Sequence, residues 1–519
     1  MRVERTIPYV LALVVVVTSM RGLEPVGFKC PDAARHAMNG AFIYDLVRTG
    51  NFAHPITYGK QFYSRFPAIS LPFHPPLFPA IEALFYAAFG VNFFAARLPV
   101  ALATGVCALL LYRLVNRSHQ SVWLAIAATM TFITMSTSQM VATDVMLEFP
   151  SLAFTMGALY CLRDLETSYP PSRAYPFALL AGAAVWTKQH AVFLGLVPFI
   201  FILLQGNWRL LRGLHLWGSS LLFGLMVLAL TMLSVPAKHI GVASEFVAVH
   251  EFWGAGVVNA RFYGRELRQD LGLVVTCWLL FSAGAFLAIP RLRRRPENHL
   301  YLAWLLAMLP LLLLTAKHDL RYLLFGLPAL VVLGYDGLRL ACKRVLPVRY
   351  VPAVTGLLAV FLILHQTSRS LELRAETAYM VPIQLARTIK DRVSRRLIYC
   401  GDNVGYLAVG MRFLDPDSRT IMIRGDKLDP AIFTPEGFEH FAWRYGVDTV
   451  VLEPGRKHHP WDFLVASPSP SMVRERVISD PKDTQHEILI FDFTNPSSQP
   501  ESSLDIPIMS RGPSLNLSL

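Results

Sequence analysis

The chain has 519 residues, 54% of them hydrophobic and only 16% charged, with a formal net charge of +12. A soluble protein carries about 25% charged residues, so a soluble enzyme spanning the whole chain is excluded. Much of the Lys and Arg sits in short loops between apolar runs, where membrane topology requires it, so the positive charge does not argue for nucleic acid.

The first apolar run, near residue 7, lacks a small-residue cleavage site after it and is read as a retained first span, 7–22. An outer loop follows, 23–96. Within it Ala34–Thr49 reads as an amphipathic helix, with Ala34, Met38, Phe42 and Leu46 at helical spacing in spite of Gly40. Residues 74–92 are apolar, but two prolines open the segment and Glu82 interrupts it, so it is placed as a helix packed at the outer interface. Ten more spans are expected near 97–115, 120–140, 145–162, 174–187, 191–206, 214–235, 270–290, 299–316, 320–341 and 350–366. With the amino terminus in the cytoplasm, Arg113 and Arg117, Arg163 and Arg173, Arg209 and Arg212, the run Arg291–Arg295, and Lys343, Arg344 and Arg349 all fall on the cytoplasmic side. A second outer loop covers 236–269.

The pattern changes near residue 375. Leu397–Cys400, Thr420–Ile423, Val447–Leu452 and Glu487–Phe491 read as short strands, with helices at Gln384–Val393 and Pro435–Tyr445. The expected architecture is an α-helical polytopic membrane protein (1–370, about 11 spans) with a small extracytoplasmic C-terminal α/β domain (375–495). A Ser/Pro-rich tail, 496–519, is expected to be disordered. Six cysteines are present; Cys107, Cys161, Cys277 and Cys342 lie in or beside apolar runs, and Cys30 and Cys400 lie far apart. No Cys/His spacing suggests zinc or a disulfide framework, and neither metal nor cofactor is expected.

Ionisable groups near a membrane boundary are costly unless they are used. This topology puts them on one side: Asp32, Arg35 and His36; His74; Asp144 and Glu148; Lys188 and His190; His250 and Glu251; Lys317, His318, Asp319 and Arg321. Such a set suits a substrate with an anionic head and a lipid tail, the cations holding a phosphate and a carboxylate taking a proton from an attacking hydroxyl. Each residue also has a plain structural role open to it. Asp32 and Asp144 are placed to cap helices, and Lys188 to snorkel. His74 suits an interfacial anchor, Arg321 a charge at a span end, His250 a packed loop histidine and Asp402 a turn.

The order of motifs resembles the C-superfamily (GT-C) glycosyltransferases that use polyprenyl-phosphate sugars. The nearest branch is that of protein O-mannosyltransferase-like enzymes and the aminoarabinose transferase of lipid A. The resemblance covers about residues 1–370. It is carried by Pro31-Asp32-Ala33-Ala34-Arg35-His36-Ala37, His74-Pro75-Pro76-Leu77-Phe78-Pro79, Phe89-Gly90, Ala96-Arg97-Leu98-Pro99, Thr143-Asp144-Val145-Met146, Gly182 through Trp186-Thr187-Lys188, and Arg321-Tyr322-Leu323-Leu324. It implies Asp32 as catalytic base and Asp144 as the second acidic residue. It implies Arg35, His74, Lys188, Arg321 and Tyr322 as contacts of the donor phosphate. His250, with Glu251, is the loosest match, in the later outer loop. The family often has Asp-Glu where this chain has Asp32-Ala33, which argues against a metal site.

The expected reaction moves a sugar from a polyprenyl-phosphate sugar to a hydroxyl of a lipid, glycan or protein acceptor on the outer face of a bacterial inner membrane, with inversion. The partners are then that donor, the acceptor and membrane lipid, with no nucleic acid. A transporter or flippase is the competing class; it should cluster its ionisable groups at mid-membrane with repeat symmetry. A non-catalytic scaffold is the third class and needs no such charge set.

Overall fold

The computed structural model describes the chain apart from residues 1, 22–27, 72, 164–168, 235–251, 289, 291–294, 316–318, 376–380, 392–395, 402, 454–460, 462, 467–471, 481–482, 494–498, 508–513 and 519. In chain order the first helices are α1 (Arg2–Ser19), α2 (Pro31–Arg48), α3 (Pro55–Arg65), α4 (Leu77–Phe89), α5 (Phe93–His119), α6 (Val122–Thr134), α7 (Ser136–Ala142) and α8 (Glu148–Leu162). Then come α9 (Pro171–Thr187), α10 (Val197–Gln205), α11 (Leu214–Ser234), α12 (Phe252–Asp270), α13 (Gly272–Ala288), α14 (Pro296–Leu314), α15 (Leu327–Val345) and α16 (Val351–Ala375). The chain resolves into two compact units.

The first unit comprises Met1–Gly22, Pro72–Phe78 and Arg97–Thr377 and is helical. Proline opens α9, α10, α14 and α15 at the first turn, where its missing N–H costs nothing. The Ser121 side chain caps α6 through the Leu124 amide, and Gly206 ends α10 in the left-handed conformation. Helix α9 packs between α8 and α11, α13 against α15, and α10 against α14. Gly182 sits at the contact of α9 with α11, where a β-carbon would collide with the Met226 side chain.

All eleven expected spans fall on helical segments, but among the described residues four helices are long and apolar enough to cross a membrane: Phe93–His119, Leu214–Ser234, Pro296–Leu314 and Val348–Leu371. A fifth candidate is the pair α6–α7, bent by 68°. The segment at 145–162 is a 15-residue helix, and that at 174–187 has 17 residues. At about 1.5 Å per residue neither reaches the ~30 Å of a hydrocarbon core by itself. The segments at 191–206 and 320–341 begin as 3-10 turns, Gln189–Gly195 and Leu320–Phe325. Hydropathy reads these broken stretches as continuous spans because the breaks are themselves apolar. Helix α4 has 13 residues, also below crossing length.

The second unit comprises Leu23–Leu71, Pro79–Ala96 and Ala378–Leu519. The division at 377/378 lies beside the expected change near 375, while residues 23–71 and 79–96 of the expected first outer loop cluster with the carboxy-terminal region. Its further elements are α17 (Val381–Lys390), β1 (Arg396–Cys400), α18 (Val404–Leu414), β2 (Ile421–Arg424), α19 (Pro435–Arg444), β3 (Thr449–Leu452), α20 (Phe463–Ala466), β4 (Met472–Asp480), β5 (Asp483–Phe493), β6 (Ser503–Pro507) and β7 (Ser514–Ser518). The main sheet runs β2-β1-β3-β5-β4, with β2, β1 and β3 parallel and β5 and β4 antiparallel. Its core includes Ile398, Ile423, Val450, Phe438, Phe491 and Trp461. The expected disordered tail is corrected at 503–507 and 514–518, which pair as antiparallel strands. Leu504 is in register with Leu517 and Ile506 with Leu515, a short alternation that the Ser/Pro-rich composition hides.

Within this unit α2 begins at Pro31, three residues earlier than expected, and packs against α18. A buried fork ties the two: Arg412 donates from Nε and Nη2 to the Asp45 carboxylate at 2.9 and 2.7 Å. Gly40 lets α2 lie against α4, because a β-carbon there would come within 2.8 Å of Glu82 Cγ. Glu82 is fully buried and accepts a hydrogen bond from Tyr86 at 3.2 Å.

Candidate active site

In the first unit, three breaks in the helical run carry the ionisable groups. The α7–α8 turn supplies Asp144 and Glu148, the α9 end supplies Lys188, and the stretch before α15 supplies Asp319, Arg321 and Tyr322. Glu148 and Lys188 each sit at the end of a helix whose dipole favours the charge. Glu148 lies in the first turn of α8, and Lys188 follows the last residue of α9 in extended conformation (φ −150°, ψ 121°). The Ser151 hydroxyl donates to Ala184 O at 2.9 Å, which holds the start of α8 beside the end of α9.

There the Lys188 ammonium pairs with the Glu148 carboxylate, which is fully buried. Arg321 Nε lies 4.0 Å from the same Glu148 oxygen. Asp319 caps the 3-10 turn through the Arg321 amide at 2.9 Å and accepts from Arg321 Nε at 2.9 Å. Burial alone would raise the Asp319 carboxyl, but the Arg321 hydrogen bonds and charge, helped by Lys188, draw it below the ordinary value. The two cations keep 14% and 17% of their side chains exposed, so they are anchored yet reachable.

Aromatic rings border the pair. Tyr322 lies over His190 with ring centroids 4.0 Å apart, and Lys188 Nζ is 5.5 Å from the Tyr322 centroid. His190 is held neutral: burial pushes its pKa well below the usual value, and the Lys188 and Arg321 charges push the same way. Among the described residues neither of its ring nitrogens has a hydrogen-bond partner. Gln189 donates to Phe73 O at 2.9 Å, and this brings His74, whose charge His190 feels, to the same region.

Of the residues singled out by sequence, Lys188, Arg321 and Tyr322 are brought together, with His74 adjoining. Asp144 is buried in the turn before α8, where its carboxylate accepts the Val145 amide at 2.9 Å. It does not cap a helix starting at 145, since α8 starts at Glu148. The sequence places Glu148 and Asp319 among the polar groups of this side without assigning either a site role. Glu148 is the anchor of the cluster, and an acid opening an apolar helical run is the signal that marks it. His250 and Glu251 lie outside the described residues, as do Lys317 and His318.

Asp32 and Arg35 belong to the second unit. Asp32 is the second residue of α2 rather than its cap, a position held by Cys30. Arg35 Nη1 lies 3.8 Å from Asp32 Oδ1 one turn on, and both side chains are partly exposed, 45% for Arg35 and 32% for Asp32. Among the described residues no group of three or more His, Cys, Asp or Glu is placed to hold a metal ion.

Residues 73–233 match the family model of dolichyl-phosphate-mannose-protein mannosyltransferase. The fold matches ArnT from Cupriavidus metallidurans bound to undecaprenyl phosphate with a TM-score of 0.61 and 15% identity, over 95% of this chain and 99% of that one. It also matches the arabinofuranosyltransferase AftD from Mycobacteria (TM-score 0.55, 13% identity), over 96% of this chain and 40% of AftD. The oligosaccharyltransferase AglB from Archaeoglobus fulgidus, in complex with an inhibitory peptide and a dolichol-phosphate, matches with a TM-score of 0.53 and 12% identity over 87% and 70% of the chains. No protein of curated function matches the sequence. The architecture is therefore the GT-C fold, and the resemblance drawn from the sequence motifs stands. The chain is a multi-pass membrane protein whose family match and structural neighbours are glycosyltransferases.

Proposed function

We propose that this protein transfers a sugar from a polyprenyl-phosphate sugar to an acceptor hydroxyl on the extracytoplasmic face of a bacterial inner membrane. Asp32 takes the proton as the acceptor oxygen attacks the anomeric carbon. The bond to the phosphate oxygen breaks, and polyprenyl phosphate leaves from the opposite face, so the anomeric centre inverts. Lys188 and Arg321, with His74 and Arg35, meet the negative charge that develops on the leaving phosphate. A preorganised donor at such a position supplies about 3 kcal/mol. Asp144 supports this site from its turn before α8, and the α/β domain faces the same compartment as the acceptor.

One observation carries the reading: two anchored, partly exposed cations gathered with a tyrosine at the ends of broken apolar helices, in a fold whose neighbour is bound to undecaprenyl phosphate. The test is sugar transfer from a synthetic polyprenyl-phosphate sugar in proteoliposomes. Asp32→Asn should lower turnover by about a hundredfold or more, the usual contribution of a general base, with the protein folded. Undiminished transfer by that variant would remove Asp32 as the base, and passage of the lipid-linked sugar without transfer would favour a transporter.

A further inference from the structure

We propose that Asn259, on α12, is a positioning residue for the cation cluster: it fixes the end of α14 and, through it, the direction of Arg321. The inference rests on the glycosyltransferase reading above and adds to it a residue from outside the cluster. Helix α12 falls in the expected second outer loop, yet it packs against α14. Asn259 and Tyr263, one turn apart on the same face, are exposed by only 2% and 5%. Asn259 Nδ2 donates to Leu313 O at 3.0 Å and to Thr315 O at 2.9 Å. Leu313 lies in the last turn of α14, and Thr315 follows its last residue in extended conformation. Carbonyls at a helix end lack a partner within the helix. Asparagine suits the task because one short amide nitrogen brings two donors, whereas an ionised aspartate has none. The Tyr263 hydroxyl lies toward Thr315 and the Asp319 backbone, so the same face of α12 meets both ends of the stretch that leads from α14 to Arg321. The 3-10 turn that carries Arg321 and Tyr322 packs against α7, α8, α12 and α14.

An anchor is only as firm as the element that bears it, and α12 is itself held at its carboxyl end. The Gln269 and Asp270 carbonyls accept from the Arg369 guanidinium of α16. Ser136 Oγ donates to Asp270 O at 2.8 Å, and Thr137 Oγ1 donates to the Asp270 carboxylate. Gln366 Nε2, also on α16, donates to Leu271 O at 2.7 Å. Ser136 and Thr137 open α7, just past the 68° bend from α6. Helix α12 is therefore tied to α7 and α16 at one end and to the end of α14 at its middle. Helix α7 leads to Thr143 and Asp144, and α14 leads to Asp319 and Arg321. The helix thus braces two of the three breaks of the candidate site against each other. Without the Asn259 amide, the end of α14 loses this tie. Arg321 then keeps its charge and its Asp319 partner, but both ride on a backbone that is no longer fixed.

The experiment measures transfer from a synthetic polyprenyl-phosphate sugar by the full chain in proteoliposomes, and backbone hydrogen exchange of the same proteins. Asn259→Ala should lower kcat about tenfold to a hundredfold, the size expected when a distant change misplaces a site by about 1 Å, with the acceptor KM unchanged. In an Arg321→Gln background the same change should lower kcat by less than about twofold, because the direction it sets is no longer used. Asn259→Gln keeps the amide but is longer by one methylene. It should lose less, with the same dependence on Arg321, and it gives the reading if Asn259→Ala does not fold. Val258→Ala, at the exposed neighbouring position, should leave kcat unchanged. Exchange at Leu320–Phe325 should rise in Asn259→Ala and not in Val258→Ala. Unchanged kcat in Asn259→Ala, or losses that multiply with those of Arg321→Gln, overturn the proposal, because the residue would then act elsewhere or on stability alone. Absence of transfer by the wild type counts against the glycosyltransferase reading instead, and exchange at Leu320–Phe325 still decides whether Asn259 holds that turn.

Discussion

Replacing Glu148 by Gln tests whether the carboxylate anchors the cation cluster. At a hydrogen-bond separation of ~3 Å and an effective dielectric of about 20, the attraction between Glu148 and Lys188 is on the order of 5 kcal/mol. Taking a fully buried carboxylate out of water returns several kcal/mol of that. Breaking a fully buried pair from one side costs about 3–5 kcal/mol. Lys188 retains 14% exposure and Arg321 keeps Asp319, so the expected loss is smaller, about 2–3 kcal/mol. Lys188→Met alone should cost a similar amount, because it leaves Glu148 buried without its ammonium. Removing both should cost much less than the sum, with a coupling of about 2 kcal/mol. Unfolding of the four proteins in mixed micelles by titrated SDS measures this cycle. Additivity within about 0.5 kcal/mol would show that the two charges do not depend on each other, and the anchoring argument would be refuted.

Two further outcomes follow from particular side chains. Gly40→Ala should destabilise the second unit by about 1–3 kcal/mol despite the better helix propensity of alanine, since the new methyl meets the Glu82 side chain. Pairing it with Glu82→Ala should recover part of that loss, and hydrogen exchange across α2 and α4 reads both. His190 has its pKa lowered in the folded state by burial, then by Lys188 and Arg321. Its stabilisation is complete above the unfolded value of about 6.5 and declines as pH falls from there toward the lowered folded value. His190→Phe, which keeps a ring against Tyr322, should flatten the stability difference between pH 7.5 and 5.5; an unchanged slope would assign the effect to other groups.

The sequence carried the architecture where its signals were strong and local. Hydropathy located the apolar helical segments of the first unit but not α12, which lies in the expected outer loop 236–269 and is too polar for a hydropathy signal, and strand composition located β1, β2, β3 and part of β5. It lost the breaks. The expected spans stop on either side of Lys188 and Asp319, but the 3-10 turns that follow, Gln189–Gly195 and Leu320–Phe325, are largely apolar and run into α10 and α15, so periodicity alone does not separate these turns from the spans. The same breaks explain why Lys188, Arg321 and Tyr322 were readable as site residues only through motif order. Their convergence depends on α8, α9 and the approach to α15 meeting in space. Helix α18 was missed because Val404–Leu414 reads as an apolar run with one internal charge, Arg412, whose partner Asp45 lies 367 positions earlier. A pair so distant leaves no local trace, and neither does the assignment of the first outer loop to the carboxy-terminal unit.

The cluster also bears on why a phosphate-handling site would keep carboxylates at all. Two cations without them would bind a lipid phosphate more tightly in substrate and product alike, and uniform binding does not raise turnover. Glu148 and Asp319 hold Lys188 and Arg321 in place before any ligand arrives, so no reorganisation is needed as the leaving phosphate gains charge. They also cancel most of the net charge, which limits the affinity for the released polyprenyl phosphate. An expectation separates this from simple charge attraction. Asp319→Asn should tighten undecaprenyl phosphate binding or leave it unchanged while slowing turnover, because Arg321 loses its two side-chain hydrogen bonds and its fixed direction. If the variant instead bound the lipid more weakly at unchanged turnover, Asp319 would be serving ground-state binding, and preorganisation would not be its role.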